Sequence, residues 1–201
     1  MTTKERIITA ALELAAQNGL GSVTMSQIAD KLGIKKPSLY NHFESKEAII
    51  EGMYHYLRDK SKEQMSIGQI DYGELVKSRS AEEVLTMSVT NYIGMTGQEE
   101  LMSFYKVIYS QRSVDPVAAG IMADETKRMI LATKNLFYAL HAHGKLKAAD
   151  IDTAALSFAM TVHAMMDYCQ DCLNSGAEVP KDMIPGYIKW FCEQYGGNEN
   201  E

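Results

Sequence analysis

The chain has 201 residues, 46% of them apolar, and a net charge of −6, and its length suits one large or two small domains. No stretch approaches the roughly 18 uninterrupted apolar residues of a membrane span, and the N-terminus lacks the apolar core of a signal peptide. We therefore expect a cytoplasmic protein with no membrane association. Scarce proline, few aromatic residues and the lack of alternating β-branched runs predict an all-α fold.

The first predicted helix runs from about Thr3 to Gln17. Thr2 and Glu5 have the spacing of a capping box, in which each side chain accepts a hydrogen bond from the backbone N–H of the other. The glycine that follows Asn18 ends the helix, because glycine readily takes the left-handed conformation found at helix ends. The apolar residues recur at helical spacing, so this helix is expected to brace the next two.

The stretch from Thr24 to Lys46 predicts two short helices joined by a tight turn at a glycine. Thr24 and Gln27 form a second capping box at the start of the first of these helices. Leu39 and Phe43 lie four residues apart and are expected to face the core together. A helix this short is not stable alone, and its remaining residues are rich in hydrogen-bond donors. The pattern is typical of a helix-turn-helix whose second helix enters a DNA major groove.

The charge distribution agrees with a DNA-binding head despite the acidic total. Residues 1–46 carry six basic and four acidic side chains, a net charge of +2, so the remainder of the chain carries −8. A weakly basic head can face DNA while the acidic body turns away from it. The acidic body also weakens binding to nonspecific DNA.

The run from Ile34 to Glu47 resembles the signature of the tetracycline-repressor (TetR) family of bacterial regulators. The residues that carry most of the resemblance are Leu39, Tyr40, His42, Phe43 and Lys46. The resemblance covers about residues 4 to 57, and beyond them only the number and length of the helices agree. The family usually has a serine at the position of Lys35, where it caps the recognition helix. Lys35 cannot cap, so either this helix start is looser or Lys35 contacts the phosphate backbone.

The resemblance implies DNA contacts from the recognition helix and its flanks. The base contacts are assigned to Lys36, Pro37 and Ser38, since lysine can donate to guanine and an apolar ring can rest on a thymine methyl. Asn41 can pair with adenine, although its orientation is left open. The phosphate contacts are assigned to Thr24, Tyr40, His42 and Lys46, the last together with the first amides of the fourth helix. For Tyr40 and His42, the alternative is a plain surface position.

Beyond this head, Ser45 is predicted to cap a fourth helix that runs to about Met65. Gly52 inside it is expected to allow either a bend or close packing. Residues 66–80 are interpreted as a loop or a broken short helix. Five further helical segments follow, which makes about nine helices in total. They are Ala81 to Met95, Gln98 to Arg112, Asp115 to Gly144, Asp150 to Ser175, and Pro180 to Gly196.

The segment from Asp150 to Ser175 is apolar on more than one face, which predicts a helix buried on two sides. One side is expected to join the core of its own subunit, and the other to meet a partner subunit. In the TetR family the last two helices of each subunit pair into a four-helix dimer interface, so the resemblance implies the same homodimer. The residues assigned to this interface are Ala155, Phe158, Val162, Met165, Cys169, Ile184, Tyr187, Ile188 and Phe191.

Nine of the thirteen methionines lie beyond residue 80, together with many aromatic residues. Such residues usually form core, but the resemblance implies that the core of the larger domain encloses an effector pocket, and methionine packs adaptably around apolar ligands. Polar side chains such as His163 can orient a ligand, and a satisfied core hydrogen bond is the equal alternative. The predicted pocket residues are Tyr92, Tyr105, Tyr109, Met129, His163, Met166 and Asp167, with Tyr168 as a further polar group nearby.

Cys169 and Cys172 form a CxxC near the end of a helix, where the helix dipole disfavours a thiolate. A zinc site needs two further ligands, and closure with His163 and Cys192 is not indicated. We interpret the thiols as core residues and expect no disulfide, metal or cofactor. The sequence also contains no hydrolase, zinc-protease, P-loop or dinucleotide motif, so we do not expect an enzyme.

These observations predict a helix-turn-helix DNA-binding domain over residues 1–46 and a helical ligand-binding and dimerisation domain over residues 47–201. The predicted function is a homodimeric transcriptional regulator, expected to be a repressor that binds a palindromic DNA operator and is released by a small, largely apolar effector. One alternative is an architectural or cell-division DNA-binding protein that uses the same fold without a ligand. The other is an enzyme that carries a helical head.

Overall fold

The computed structural model describes residues 1–64 and 72–197. Within these ranges it contains ten α-helices, a 3-10 turn at Leu20–Ser22, and one isolated β-bridge between Leu146 and Gly196. The helices are α1 Thr3–Asn18, α2 Met25–Leu32, α3 Lys36–Tyr40, α4 Lys46–Gln64, α5 Tyr72–Ser78, α6 Ala81–Thr96, α7 Glu99–Gln111, α8 Pro116–Ala142, α9 Ile151–Ser175 and α10 Met183–Tyr195. No helix in the described ranges has the length and apolar character needed to cross a membrane.

The predicted all-α fold is confirmed, and the helices begin where the capping residues predict. The Thr2 hydroxyl accepts a hydrogen bond from the Glu5 N–H at 3.2 Å, and the Glu5 carboxylate accepts one from the Thr2 N–H at 2.7 Å. At the start of α4, the Ser45 hydroxyl accepts from the Ala48 N–H at 3.0 Å. Asp150 caps α9 in the same way. These bonds satisfy N–H groups that the first turn of a helix leaves unpaired.

The described part of the stretch 66–80 contains the short helix α5, which agrees with one of the two interpretations of this stretch, and the described ranges hold ten helices instead of about nine. The predicted end of the fourth helix at Met65 and residues 66–71 lie outside the described residues. α10 begins at Met183 and not at the predicted Pro180, and a turn precedes it in which the Met183 N–H bonds to the Pro180 carbonyl at 3.2 Å. Pro185 stands in the first turn of α10, where a proline leaves no helical hydrogen bond unmade.

The first of two compact units comprises Met1–Ile67 and Gly94–Glu125. Here α1 contacts α2, α4 and α7 around a shared hydrophobic core. Ile7 of α1, Ile28 of α2 and Ile49 of α4 have no accessible surface. Full burial of such a side chain contributes about 1.5–3 kcal/mol. The first helix therefore braces the two that follow, as the sequence predicts.

The second compact unit comprises Gly68–Ile93 and Thr126–Glu201. Its core contains a cluster of aromatic rings from α8, α9 and α10. The Phe158 ring centroid lies 5.4 Å from that of Phe137 and 5.0 Å from that of Phe191, the second pair being edge to face. Such pairs contribute about 0.5–1.5 kcal/mol beyond the burial of their area. The cluster therefore holds these three helices together.

The division into compact units differs from the predicted boundary after residue 46. The first unit continues through α4 and also includes α7 and the first part of α8, because these helices share the core of the helix-turn-helix. The predicted boundary marks where the DNA-binding motif ends in the sequence. It does not mark a gap in the packing.

Gly52 of α4 lies against the ring of Phe43, the residue that anchors the end of the helix-turn-helix. A Cβ atom at position 52 would stand 2.8 Å from Cε1 of Phe43, closer than real Cβ atoms approach a neighbour. Phe43 is itself buried, and the Lys4 ammonium lies 5.7 Å above its ring. Of the two sequence interpretations of Gly52, the structure therefore supports close packing.

We expect Gly52→Ala to lower the free energy of unfolding by about 1 kcal/mol, because overpacking costs about 1–3 kcal/mol and outweighs the gain of about 1 kcal/mol in helix propensity. Gly120→Ala in α8 is the matched control, since a Cβ there meets nothing within 4 Å and only the propensity gain remains. Urea unfolding of both variants measures the difference. Equal stabilisation by the two substitutions would contradict the packing role of Gly52.

Candidate functional site

The turn between α2 and α3 is made by Gly33, as the sequence predicts. Gly33 has φ = +66°, in the left-handed region that favours glycine. Its N–H bonds to the Asp30 carbonyl at 3.1 Å, and the Ile34 N–H bonds to the Ala29 carbonyl at 3.1 Å. These bonds satisfy carbonyl groups at the end of α2 and set the direction in which α3 leaves the turn.

The recognition helix α3 is only five residues long, and its two apolar anchors hold it in place. Leu39 has no accessible surface, and Phe43 in the following turn is 9% exposed. The N–H groups of His42 and Phe43 both bond to the Leu39 carbonyl, so the chain leaves the helix in a tight turn that contains Asn41 and His42. The predicted pairing of Leu39 with Phe43 in the core is confirmed.

All nine residues predicted to contact DNA keep accessible surface. The exposed ones are Thr24, Lys35, Lys36, Pro37, Ser38, Tyr40 and Asn41, while His42 and Lys46 are half-buried. The Thr24 hydroxyl is also engaged in the predicted capping box, since it accepts from the Gln27 N–H at 3.3 Å and donates to the Gln27 side-chain carbonyl at 2.9 Å. The segment thus hides its apolar residues and presents basic and polar ones, which is the arrangement of a DNA-reading helix.

Lys46 occupies the first position of α4, directly after the recognition segment. A positive charge is unfavourable at a helix N-terminus, because the helix dipole already places partial positive charge there. An anion that lies between the ammonium group and the first amides of α4 reverses this penalty. The position is therefore chemically suited to a DNA phosphate.

A buried polar cluster, which we call the Glu125 cluster, lies in the core of the first unit and consists of Tyr54, Arg58, Tyr105 and Glu125. Glu125 of α8 is 2% exposed, accepts a hydrogen bond from the Tyr54 hydroxyl at 2.5 Å, and forms an ion pair with Arg58. Sequence analysis missed this cluster, because Glu125 lies in an ordinary run of charged and small residues. The one available signal was the spacing of four between Tyr54 and Arg58, which places both on one face of α4.

The electrostatics of the cluster fix its protonation states. Burial and the Glu125 charge raise the pKa of Tyr105 far above its ordinary value, and Arg58 offsets this only in part. Burial alone would lower the pKa of Arg58, but Glu125 and the two tyrosines raise it overall. The cluster therefore holds a neutral phenol at Tyr105 and a charged guanidinium at Arg58.

The seven residues of the predicted effector pocket are divided between the two compact units. Tyr105 and Tyr109 belong to the first unit, where Tyr105 is buried in the Glu125 cluster and the Arg112 guanidinium covers the Tyr109 ring at 4.7 Å. Tyr92, Met129, His163, Met166 and Asp167 belong to the second unit, and all five are half-buried. The His163 Nδ1 atom is buried without a hydrogen-bond partner among the described residues.

The predicted dimer-interface residues do not share one environment. Five are buried within the subunit itself: Ala155, Phe158, Val162, Ile188 and Phe191. The other four, Met165, Cys169, Ile184 and Tyr187, are half-buried. The first five belong to the hydrophobic core of the second unit. The exposed apolar side chains on α9 and α10 are different ones, namely Leu156, Met160, Tyr168, Leu173, Trp190 and Tyr195.

The cysteines are free thiols, with Cys172 buried and Cys169 and Cys192 half-buried. Burial and the neighbouring Cys172 raise the pKa of Cys169. Burial and Glu82 raise the pKa of Cys192 to about 11. Cys169 and Cys192 therefore stay protonated near neutral pH and are weak nucleophiles. Among the described residues, no group of three or more His, Cys, Asp or Glu side chains could hold a metal ion.

The protein has an exposed polar recognition segment on a three-helix scaffold, and a larger helical region follows it. This arrangement defines a helix-turn-helix protein of the DNA-binding class. Residues 7–53 match the family model described as bacterial regulatory proteins, tetR family. Residues 83–196, more than half of the chain, match the model described as AefR-like transcriptional repressor, C-terminal domain. The chain therefore belongs to the TetR family of bacterial regulators.

Individual relatives agree with this assignment. The chain is 30% identical over 118 residues to the uncharacterized regulator YerO of Bacillus subtilis, a match that covers 52% of this chain and 41% of YerO. It is 40% identical over 50 residues to the class D tetracycline repressor of Escherichia coli, covering 25% of this chain and 23% of that protein. The chain thus spans less than half the length of these curated relatives. The SmeT–triclosan complex shares the fold, with a TM-score of 0.73, 14% identity, and coverage of 99% of this chain and 94% of SmeT.

Lys35 stands at the N-cap of α3 in an extended conformation and makes no side-chain capping bond. We expect Lys35→Ser to raise the free energy of unfolding by about 0.5–1 kcal/mol, because a serine there can accept a backbone N–H of the first turn. Lys35→Ala is the control, since it removes the same charge without adding a cap. Urea unfolding of the pair measures the capping effect, and equal stabilities would show that α3 gains nothing from a cap.

Proposed function

We propose that the protein is a homodimeric transcriptional repressor that binds a palindromic operator and is released by a small, largely apolar effector. The single observation that carries the proposal is the recognition segment, in which Leu39 and Phe43 are buried while Lys35 to Asn41 present basic and polar groups. Membership of the TetR family supports the same role.

Within the recognition segment, we assign base contacts to Lys36, Pro37 and Ser38, at the exposed start of α3. The N-terminal residues of a recognition helix are those that reach base edges in the major groove. Tyr40, His42 and Lys46 are assigned to phosphates, together with Lys35, whose side chain makes no capping bond. Phosphate contacts set position and affinity, whereas base contacts set sequence preference.

We assign the dimer interface to the exposed apolar stripe on α9 and its neighbour on α10. Leu156 and Met160 lie four residues apart and therefore neighbour each other on one side of α9, and Met160 is 44% exposed. Tyr168, two turns further along α9, is also exposed. Trp190 of α10 is 50% exposed and stacks on Tyr187 at 5.9 Å. Large apolar side chains grouped on adjacent helices are typical of a protein–protein interface. This stripe is the second apolar side of α9. The first side, which contains Phe158, packs into the core of the subunit.

Effector release follows from the spacing that two DNA-binding heads must keep. The heads of a helix-turn-helix dimer must stand about 34–36 Å apart, or a multiple of that distance, to enter successive major grooves. An effector that binds more tightly to a conformation with a different head spacing weakens operator binding. The size of the effect is set by the difference between its affinity for that conformation and its affinity for the one that fits the operator. SmeT is a protein of this fold that occurs in complex with triclosan, a small and largely apolar compound, which supports an effector of that kind.

The test begins with an operator enriched from a random-sequence DNA library by the purified full-length chain. We expect a palindromic sequence bound by two subunits, as measured by sedimentation. A library of apolar compounds that includes triclosan is then screened for loss of fluorescence anisotropy of labelled operator. An effector should weaken operator binding about 5- to 150-fold, and operator should weaken effector binding by the same factor. Enrichment of no sequence would refute the operator, and equal effector affinities with and without DNA would favour the architectural alternative.

For the DNA contacts, we expect Lys36→Ala to cost about 1–3 kcal/mol on the operator and to relax the preference at one base pair. Lys46→Ala should instead weaken binding to every DNA sequence alike and lower the slope of log affinity against log salt by about one unit. Anisotropy titrations against a set of operator variants at several salt concentrations distinguish a base contact from a phosphate contact. A uniform loss for Lys36→Ala would place it among the phosphate contacts.

For the dimer, we expect Met160→Asp to give folded monomers, because a charge on the exposed stripe opposes burial against a partner. Phe158→Asp should unfold the protein, since Phe158 is 3% exposed in the aromatic core. Met160→Leu is the conservative control and should remain dimeric. Sedimentation and circular dichroism report assembly and folding. A wild-type monomer at micromolar concentration, or a dimeric Met160→Asp variant, would reject the assigned interface.

A further inference from the structure

The Phe43 ring, which anchors the end of the recognition segment, also contacts the start of α1. The Lys4 ammonium group lies over the face of this ring, 5.7 Å from its centre. The edge of the same ring packs against Gly52 of α4. An aromatic face attracts a positive charge, and this attraction restricts where the flexible lysine side chain places its ammonium group. Phe43 therefore holds the Lys4 charge next to the recognition segment.

Lys4 lies at the exposed end of the buried face of α1. It precedes Ile7 and Ile8 by three and four residues, so it continues the side of the helix that packs into the core. Lys4 itself is exposed, since it stands in the first turn of the helix, at the rim of the core. The side chain is thus fixed at its stem and accessible at its charged end.

The Lys4 charge is not neutralised within the subunit. Among the side chains that the structure describes, no carboxylate lies within ion-pair distance of its ammonium group. The neighbouring Glu5 accepts the Thr2 N–H at 2.7 Å and lies 4.0 Å from the N-terminal ammonium group, so its charge is engaged at the very start of α1. Lys31, by contrast, is paired with Glu13 at 2.9 Å. Lys4 therefore keeps its charge available for an anion that comes from outside.

The position of Phe43 brings this charge to the DNA-binding surface. Phe43 follows His42 directly and precedes Lys46 by three residues, and we assign both of these residues to DNA phosphates. Duplex DNA carries one phosphate charge per about 1.7 Å of its axis, so a cation beside two phosphate contacts meets further phosphates. A lysine ammonium group binds such a phosphate as a point charge and needs no particular base.

We propose that Lys4 is a further DNA contact, outside the helix-turn-helix motif, and that it binds a backbone phosphate beside those bound by His42 and Lys46. The proposal rests on the proposed DNA-binding function and extends the DNA-binding surface to α1, which the sequence predicts only as a packing helix. Because the Phe43 ring contacts both Lys4 and Gly52, one buried anchor positions the first turn of α1 as well as α4.

The test measures binding of the full-length protein to a labelled duplex of random sequence at several salt concentrations, by fluorescence anisotropy. Lys4→Met removes the charge but keeps an unbranched side chain that can cover Phe43. It should lower the slope of log affinity against log salt by about 0.9 for each phosphate contact that is lost. Lys4→Arg keeps the charge and should retain the wild-type slope. A wild-type slope for Lys4→Met would overturn the proposal.

Arg6→Met is the matched control for a general attraction between the charge of the head and DNA. Arg6 is exposed and follows Lys4 by two residues, about 200° around α1, so it lies on the opposite side of the helix. The substitution removes an equal charge from the same turn and should leave the slope close to that of the wild type. Equal reductions for Lys4→Met and Arg6→Met would show that only the total charge matters, and would overturn the assigned contact.

Thermal unfolding of the same variants tests a purely structural role of Lys4. If Lys4 served only to cover Phe43, Lys4→Met would lower the melting temperature and the DNA affinity but would leave the salt slope unchanged. That result would overturn the proposal. The expected result is a reduced slope in a protein whose circular dichroism spectrum is that of the wild type.

The outcome is separable from that of the proposed function, because these titrations use DNA of random sequence and no effector. A slope reduced by Lys4→Met, while no operator sequence can be enriched, would support the contact and contradict the repressor function. A selective operator whose binding depends on Lys36 and Lys46, with an unchanged slope for Lys4→Met, would support the repressor function and overturn this contact.

Discussion

A five-residue helix cannot keep its shape alone in water, so the recognition segment depends on the burial of Leu39 and Phe43. Leu39 fixes the helix itself, and Phe43 fixes the turn that follows it. Phe43 in turn requires the missing side chain of Gly52 on α4. The geometry of the DNA-binding surface is therefore set by apolar packing on its hidden side, while the exposed side chains remain free to serve binding.

The helix α4 connects this surface with the rest of the first unit. Its first residue, Lys46, is suited to a phosphate, Gly52 receives the Phe43 ring, and Tyr54 and Arg58 reach the buried Glu125. These contacts fall within little more than three turns of one helix. A buried charge pair is sensitive to its partners, because loss of either partner leaves an uncompensated charge. A change in the Glu125 cluster therefore acts on the same helix that supports the recognition segment.

The helix α9 has two apolar sides, one in the core of the subunit and one that we assign to the proposed dimer interface. Its Phe158 side packs into the aromatic cluster with Phe137 and Phe191. Its Met160 side remains exposed, with Trp190 on the neighbouring helix. Both sides read alike in the sequence, since each consists of apolar residues three or four apart. In the proposed dimer only the second side meets the partner, so a subunit would keep its own core when the partner dissociates.

The sequence by itself determined the all-α fold and the recognition segment, because these depend on local chemistry: capping boxes at Thr2 and Thr24, the left-handed turn at Gly33, and the spacing of Leu39 and Phe43. The family was indicated by a resemblance to a known signature over Ile34 to Glu47. It also located α9 as a helix with two apolar sides. Only the tertiary structure decided which of those sides faces the core, so that Phe158 proved to be core and Met160 surface. The Glu125 cluster likewise depends on packing among helices far apart in the chain, where burial changes an ordinary glutamate into the partner of Tyr54 and Arg58. Periodicity indicates that a residue lies on the apolar face of a helix. Which neighbour packs against that face is decided by how the helices pack.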